Sequence, residues 1–189
     1  LQIYNELAET RGMRKVTSDD WPELRKGTIA QGLKWTGAKP FQLPGLLAQG
    51  LKLVEARTAE IKLFPEMIPV VKTLASSGCK LFVLSTNSQP LIQEVLNKHG
   101  IGQELEVLKS SRVFGKASAI KKLIRTYNLE AKNTWMIGDE VRDMVAAKKA
   151  GVHPLGVAWG FQPEETLEAV GGVTVANTPA EILNIVSAD

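Results

Sequence analysis

From Pro65 onward, the chain alternates short apolar runs with stretches of helical periodicity. The four clearest apolar runs are LFVLS, LEVLK, TWMIGD and HPLGVAW, and a shorter strand and helix follow them. A fully apolar run that ends in small polar residues is typical of a parallel strand with both faces buried. Repeated strand–helix units of this length predict an α/β fold, in which helices cover both faces of a parallel sheet.

The first part of the chain shows only helical patterns. The segment TSDDWPELRKG, with a capping residue, acids in its first turn and an early proline, is typical of a helix start. The segment LLAQGLKLVEARTAEI, after a predicted turn from Pro40 to Pro44, has apolar residues at helical spacing. We therefore expect a small helical domain at residues 1–62 and an α/β domain at residues 63–189.

The composition is that of an ordinary globular protein and argues against several classes of function. Hydrophobic residues make up 44% of the 189 residues, charged residues make up 23%, and the net charge is only +3. Basic residues are spread along the chain, which argues against a surface for nucleic acid or for a membrane. No apolar run approaches the length of a membrane span, and no signal peptide is visible. The single cysteine, Cys79, fits a reducing cytoplasm and is expected to be buried.

The residues that follow the apolar runs are the candidates for a site, because ligands of parallel sheets bind at the carboxyl ends of the strands. Ser85, Thr86 and Asn87 lie at the end of the first run, just before a predicted helix. Their hydroxyl, amide and N–H groups suit a phosphate, which the helix dipole also favours. The alternative is an ordinary strand-to-helix turn in which Ser88 caps the helix.

Two acids form the second candidate. Asp139 follows a buried strand and Gly138, and Asp143 lies one turn into the next predicted helix. Carboxylates at this spacing repel each other unless a cation lies between them. A small set of oxygen ligands suits Mg²⁺, which keeps several waters and takes its other ligands from substrate phosphate. The alternative is that both acids cap the helix on a solvated face, and Glu140 and Arg142 are expected to be surface charge.

Lys116 is the third candidate. It stands at the start of a predicted helix, where the helix dipole disfavours a cation. From the crossover that enters the strand before Asp139, its ammonium group could reach the strand ends and neutralise a phosphate or an acid. The alternative is a solvated loop lysine, which is the usual role of this residue type.

The order of these motifs resembles a known family. STN after an apolar strand, then FGK, then IGDEVRD and AAKKAG, is similar to the second, third and fourth motifs of haloacid dehalogenase-like hydrolases. The run GVAWGF resembles the phosphoglycolate-phosphatase branch of that family. The likeness covers the chain from about Phe64 to its end, and the helical first part resembles the small helical cap of the branch.

The resemblance implies a Rossmann-like, three-layer α/β/α fold with a small helical cap. It also implies a magnesium-dependent phosphatase that acts through an aspartyl-phosphate on a small phosphorylated metabolite such as phosphoglycolate, without nucleic acid or membrane partners. The implied phosphate-binding residues are Ser85, Thr86, Asn87 and Lys116, of which Ser85 and Lys116 are also implied to be catalytic. The implied magnesium ligands are Asp139 and Asp143, and Asp143 would also support the lysine.

The first motif of that family, an apolar strand followed by Asp-x-Asp-x-Thr, does not occur in the chain. Asp19 and Asp20 are rejected as its equivalent, because no apolar strand precedes them and their spacing differs. The chain starts at Leu1 inside a predicted helix, so we expect that upstream sequence has been removed. The resemblance then implies that these residues lack the nucleophile and the central strand. They should be inactive, and should be poorly stable or complete the sheet with another strand.

Two other functions stay open from the sequence. The first is a phosphosugar mutase or another small-phosphate phosphatase, because the cap sets the substrate and cap sequences are poor guides. The second is a non-catalytic phosphate-binding or regulatory relative that has lost its aspartate. The non-catalytic alternative is disfavoured because the chain keeps all four implied site residues, Ser85, Lys116, Asp139 and Asp143.

Overall fold

The structure, a computed structural model, describes residues 1–109 and 115–187. The chain divides into two compact units, Leu1–Ile61 and Lys62–Asp189. The first unit is helical, and the second alternates strands with helices. No helix in the described ranges is long and apolar enough to cross a membrane.

Four α-helices build the first unit. They are α1 (Gln2–Arg11), α2 (Trp21–Lys26), α3 (Ile29–Thr36) and α4 (Leu43–Ala56), with 3-10 turns at Pro40–Gln42 and Thr58–Glu60. A capping box starts α3, since Thr28 Oγ1 accepts from the Gln31 N–H at 3.3 Å and Gln31 Oε1 accepts from the Thr28 N–H at 2.7 Å. Helix α4 begins one residue before Pro44, so the predicted turn is shorter than expected. Proline is tolerated in the first turn of a helix, where its missing N–H has no intrahelical partner to lose.

Side-chain contacts between distant residues hold this unit together. Asn5 makes two hydrogen bonds of 2.8 Å to the backbone of Val16, one through Nδ2 and one through Oδ1. Arg57 donates to both carboxylate oxygens of Glu6, at 2.6 and 2.8 Å. The first pair anchors the loop after α1, and the second joins α1 to the end of α4.

The second unit begins with a helix and then follows a strand–helix alternation. Its elements are α5 (Met67–Ser76), β1 (Leu81–Ser85), α6 (Gln89–Lys98), β2 (Leu105–Lys109), α7 (Lys116–Thr126), β3 (Trp135–Gly138), α8 (Val141–Ala150), β4 (His153–Val157), α9 (Glu164–Glu168), β5 (Thr174–Ala176) and α10 (Glu181–Ser187), with a 3-10 turn at Ala131–Asn133. Strands β1 and β2 coincide with the predicted runs LFVLS and LEVLK. The predicted α/β fold is confirmed.

The strands form two parallel ladders. Strand β1 pairs with β2 from Leu81 opposite Leu105 to Ser85 opposite Lys109. Strand β4 lies between β3 and β5 and pairs with both. In the described residues no ladder joins β1 to β3, so the sheet is split into a two-stranded and a three-stranded part.

Helices cover both faces of these strands and bury the core. On one face, Leu74 of α5 packs in one cluster with Leu81 of β1 and Ile137 of β3. On the opposite face, α7 packs in another cluster with Leu84 of β1 and Met136 of β3. Because successive strand residues point to opposite faces, these contacts make three layers, helix on sheet on helix.

The expected burial of Cys79 is wrong. Its thiol is exposed, because Cys79 lies in the turn after α5 and β1 does not begin until Leu81. The cysteine therefore belongs to the connection and not to the apolar strand.

Candidate active site

A buried ion pair lies between the first turns of two neighbouring helices. Lys116 is the first residue of α7, and its Nζ donates to Oδ1 of Asp143, the third residue of α8. The side chains are only 17% and 4% exposed. A carboxylate as buried as that of Asp143 needs a partner, because an unpaired charge in the interior costs several kcal/mol. Lys116 provides that partner and is not a solvated loop lysine.

Asp139 is held by the loop that follows β4. Its Oδ2 accepts a hydrogen bond from the Phe161 N–H at 2.8 Å, and its backbone carbonyl accepts from the Gln162 N–H at 3.0 Å. Gln162 is buried, and its Oε1 accepts from the Val141 N–H at 2.6 Å, at the start of α8. The acid and the helix start are therefore tied to one loop.

A glycine lies in close contact with each of the two aspartates, Gly138 with Asp143 and Gly160 with Asp139. A Cβ atom on Gly138 would meet Oδ2 and Cβ of Asp143 at 2.6 Å, and one on Gly160 would meet Cβ of Asp139 at 2.1 Å. Real Cβ contacts are never that short. Glycine at both positions is thus required by close approach of the acids.

Glu140 and Arg142 were expected to be surface charge, and this is wrong. The Glu140 and Arg142 side chains are 26% and 36% exposed, and Arg142 Nη2 donates to Glu140 Oε1 at 2.6 Å. Burial raises the pKa of Glu140, Arg142 lowers it in part, and Asp143 and Asp139 raise it further. The carboxylates of Asp139 and Asp143 therefore lie near enough to Glu140 to act on its charge.

The phosphate candidates lie at the end of the other ladder. Ser85 is the last residue of β1, and its Oγ accepts from the Asn87 N–H at 3.2 Å. Ser85, Thr86 and Asn87 are half-buried, ahead of α6. Ser88 occupies the N-cap position of that helix but makes no side-chain cap bond there. Ser85 has no hydrogen bond to Lys116 or the acids in the described part of the chain.

The structure thus brings some of the predicted site residues together and leaves others apart. Lys116 contacts Asp143 in the first turn of α8. Asp139 and Asp143 both affect the pKa of Glu140, which lies between them at the β3–α8 junction. The Ser85 group stands at the carboxyl end of β1. Phe114, in the predicted FGK motif, lies outside the described residues.

The donor set fits magnesium better than a metal that needs a complete protein cage. In the ranges the structure describes, no group of three or more His, Cys, Asp or Glu residues could hold a metal ion. Mg²⁺ requires no such group, since it binds through one or two carboxylates and completes its shell with waters and phosphate oxygens. Asp139 and Asp143, with a phosphorylated substrate, match that pattern.

Sequence reasoning missed the roles of Phe161 and Gln162. The pattern predicts a strand at HPLGVAW and a family resemblance at GVAWGF, and neither indicates a contact with the acids. The available signal was Gly160, with the polar Gln162 two residues later, beside the predicted edge of the sheet. That signal places Gln162 near the site but does not predict its contact with Val141, which lies 21 residues away in the sequence.

Comparison with known proteins finds similar sequences and folds along almost the whole chain. A phosphoglycolate phosphatase from Synechococcus elongatus is 25% identical over 186 residues, which cover 98% of this chain and 88% of that protein. A solved structure of a predicted phosphatase from Clostridium acetobutylicum has a TM-score of 0.82 at 15% identity, covering 100% of this chain and 90% of that one. A haloacid dehalogenase-like family hydrolase from Streptococcus pneumoniae has a TM-score of 0.78 at 20% identity, covering 97% and 88%.

The two structural likenesses establish the fold, and a family-level match establishes the lineage. Residues 1–157 match the model of the haloacid dehalogenase-like hydrolases. That range includes the helical unit and the α/β unit as far as residue 157, and it contains Ser85, Lys116, Asp139 and Asp143. The chain belongs to the haloacid dehalogenase-like hydrolase family.

Proposed function

We propose that this protein is the phosphate-binding body of a magnesium-dependent phosphomonoesterase. Its substrate is a small phosphorylated metabolite, and phosphoglycolate is the first candidate because of the Synechococcus relative. The observation that carries the proposal is the buried contact between Lys116 and Asp143 beside Asp139. A lysine so placed has positive charge at a sheet edge where anions bind.

Each residue has a separate role in this proposal. Ser85 Oγ, with the Thr86 N–H and with Asn87, binds the phosphoryl oxygens. Lys116 offsets their charge and is kept in place by Asp143. Asp139 and Asp143 hold the metal. Magnesium, when bound, supplies positive charge to the phosphoryl oxygens.

The reaction needs a nucleophile that these residues do not contain. A carboxylate oxygen would attack phosphorus, the bond from phosphorus to the ester oxygen would break, and the alcohol would leave with a proton from a neighbouring acid. Water would then attack the same phosphorus, releasing inorganic phosphate and the carboxylate. The 189 residues contain no Asp-x-Asp pair after an apolar strand, and we propose that this carboxylate is supplied from outside them.

We further propose that residues 1–62 are a cap that selects the substrate and that residues 63–189 perform the phosphate chemistry. The boundary falls next to the division between the two compact units, at Ile61 and Lys62. The proposal assigns substrate preference to the first unit, so variants there should change KM more than kcat.

Phosphate release with Mg²⁺ tests the function. The assay compares the 189-residue chain with a form extended by any residues that its gene encodes before Leu1, on phosphoglycolate and a panel of small phosphate esters. We expect turnover by the extended form, none by the shorter chain, and loss of turnover in the extended Asp139→Asn variant. Glu130→Gln, at a carboxylate that is 63% exposed, is the matched control and should keep full activity.

A different result would favour the non-catalytic alternative. If the extended form binds inorganic phosphate in the presence of Mg²⁺ but hydrolyses no ester, the protein is a phosphate-binding relative. Hydrolysis by the 189-residue chain itself would contradict the assignment of the nucleophile to another segment.

A further inference from the structure

Gln162 is buried in the short connection between β4 and α9, although glutamine is usually an exposed residue. The connection covers residues 158–163, after Val157 at the end of β4 and before Glu164 at the start of α9. Only 7% of Gln162 is exposed. A buried amide is stable only if its hydrogen bonds are made inside the protein, so its partners explain its position.

The side chain of Gln162 acts on the first turn of α8. Its Oε1 accepts from the Val141 N–H at 2.6 Å. Val141 is the first residue of that helix, and the first N–H groups of a helix have no partner within it. A polar side chain at the N-cap position normally accepts from one of these groups, but Glu140 makes no such bond. Gln162 therefore caps α8 from 21 residues away in the sequence.

The backbone of the same connection binds Asp139. The Gln162 N–H donates to the Asp139 carbonyl at 3.0 Å, and the Phe161 N–H donates to Asp139 Oδ2 at 2.8 Å. Both donors are main-chain groups, which every residue type except proline provides. These two bonds do not require glutamine, whereas the bond to Val141 requires an acceptor on a long side chain. The contact with α8 therefore explains the residue type.

Together these bonds join the two parts of the β3–α8 junction that carry the acids. Asp139 directly follows β3, which ends at Gly138, and Asp143 lies in the first turn of α8. Gln162 binds the main chain at Asp139 and again at Val141, between the two acids. A shift of α8 relative to β3 would stretch one of these bonds. One buried residue therefore limits how far the acids can move apart.

We infer that Gln162 is a positioning residue, which holds Asp139 and the start of α8 at the separation that lets Asp139 and Asp143 bind one cation. The inference rests on the proposed magnesium site, and it assigns Gln162 to the support of the ligands and not to the ligands themselves. Mg²⁺ is the suitable probe, because it requires near-ideal octahedral geometry and tolerates misplaced ligands poorly.

Amide exchange and Mg²⁺ titration of the extended form, both read by NMR, test this role. Gln162→Met keeps the approximate length of the side chain and removes the acceptor. We expect the amides of Val141 and Phe161 to exchange about tenfold faster, since both lose protection when the junction opens. Mg²⁺ affinity, followed by the shifts of the same amides, should fall about tenfold, as is usual when the support of metal ligands is removed. Gln162→Asn keeps the amide on a shorter side chain, should change both readouts in the same direction, and replaces Gln162→Met if that variant does not fold.

Gln93→Met is the matched control. Gln93 Nε2 donates to the Gly102 carbonyl at 2.8 Å, so this variant also loses a bond between a glutamine side chain and the main chain. Gln93 lies in α6 and not at the β3–α8 junction. The control should lower stability without changing Mg²⁺ affinity or the exchange of Val141 and Phe161.

A serine cap separates positioning from capping. Serine at the N-cap position accepts from N–H groups of the first helical turn, so Glu140→Ser gives α8 a local cap. It is introduced both alone and together with Gln162→Met, so that the effect of removing the Glu140 carboxylate is subtracted. We expect the double variant to regain stability. Relative to Glu140→Ser alone, its Phe161 exchange should stay fast and its Mg²⁺ affinity should stay low.

Several results would overturn the inference. They are unchanged Phe161 exchange or unchanged Mg²⁺ affinity in Gln162→Met, the same changes in Gln93→Met, and recovery of both readouts by the serine cap, which would leave Gln162 as a helix cap only. If Mg²⁺ shifts no amide of the parent protein, the proposed metal site is wrong. Phe161 exchange in Gln162→Met then decides by itself whether Gln162 positions Asp139.

Discussion

The buried carboxylate of Asp143 depends on its charged partner, Lys116. It is 4% exposed and its partner Lys116 is 17% exposed, so water screens the pair little. Lys116→Met would leave the carboxylate buried and unpaired, and we expect a loss of about 3–5 kcal/mol in the free energy of unfolding. Urea denaturation followed by tryptophan fluorescence would measure this loss.

Two further variants make that measurement specific. Lys121→Met, on an exposed position of the same helix, should change stability by less than about 0.5 kcal/mol. The double variant Lys116→Met, Asp143→Asn should recover part of the loss, because it removes the uncompensated charge. A single Lys116→Met variant as stable as the parent would show that the pair contributes nothing.

Asp20, rejected as a nucleophile, has a structural role in the turn before α2. Its Oδ2 accepts from the Thr17 hydroxyl at 2.7 Å and from the Thr17 N–H at 3.0 Å, and its Oδ1 accepts from Arg14 at 2.9 Å. The hydroxyl and then the N–H of Thr17 lower the pKa of Asp20, burial opposes them, and Arg14 lowers it further.

The sign of the pH effect follows from that depressed pKa. The contribution of Asp20 to stability is complete above its ordinary value and is lost as the pH falls through the lower folded value. The stability difference between the parent and Asp20→Asn should therefore shrink in acid. Urea unfolding over an acidic pH series would show it, with Asp19→Asn as the equal-charge control that leaves Thr17 untouched.

At the level of single elements, the apolar runs predicted most of the second unit. LFVLS and LEVLK became β1 and β2 with their bounds unchanged, because short runs rich in leucine and valine between helical segments favour parallel strands. The helix at Lys116 also starts where it was predicted. Element bounds are local, so local patterns suffice to find them.

Sequence could not predict the contacts between elements. Cys79 was expected in the strand but lies in the turn before it, and Glu140 was expected on the surface but is half-buried. Gln162 contacts the start of α8 across 21 residues. These features depend on how elements meet in space, which residue spacing alone does not specify.

Two glycines of the helical unit should respond to alanine in opposite directions. Gly50 lies inside α4, where an added Cβ would make an ordinary 3.8 Å contact with Leu7. Gly50→Ala should stabilise the protein by about 0.5–1 kcal/mol, because glycine loses more backbone freedom in a helix. Gly37 ends α3 at φ +75°, so Gly37→Ala should destabilise it through strain. Thermal unfolding of both variants would check the two signs.

For the molecule as a whole, protection from exchange should follow the sheet topology. Among the residues that the structure describes, β4 is paired on both sides and β1 on one, so amides of Leu155 to Val157 should exchange more slowly than those of Phe82 to Leu84. Native-state exchange read by NMR would measure the difference. Equal protection of the two strands would mean that the free edge of β1 is already covered.

Gly138 and Gly160 should tolerate substitution poorly, for a reason that differs from that of other glycines in the chain. Both have ordinary backbone angles, unlike Gly37 or Gly151, so their need for glycine comes from the acids that they touch. At Gly151 an asparagine can substitute, since that position requires a left-handed backbone and not an empty space. A library of the extended form, selected for phosphate release, should therefore reject every side chain at 138 and 160. The same library selected only for soluble expression should accept some side chains at these two positions. Positions that differ between the two selections would mark the proposed catalytic site.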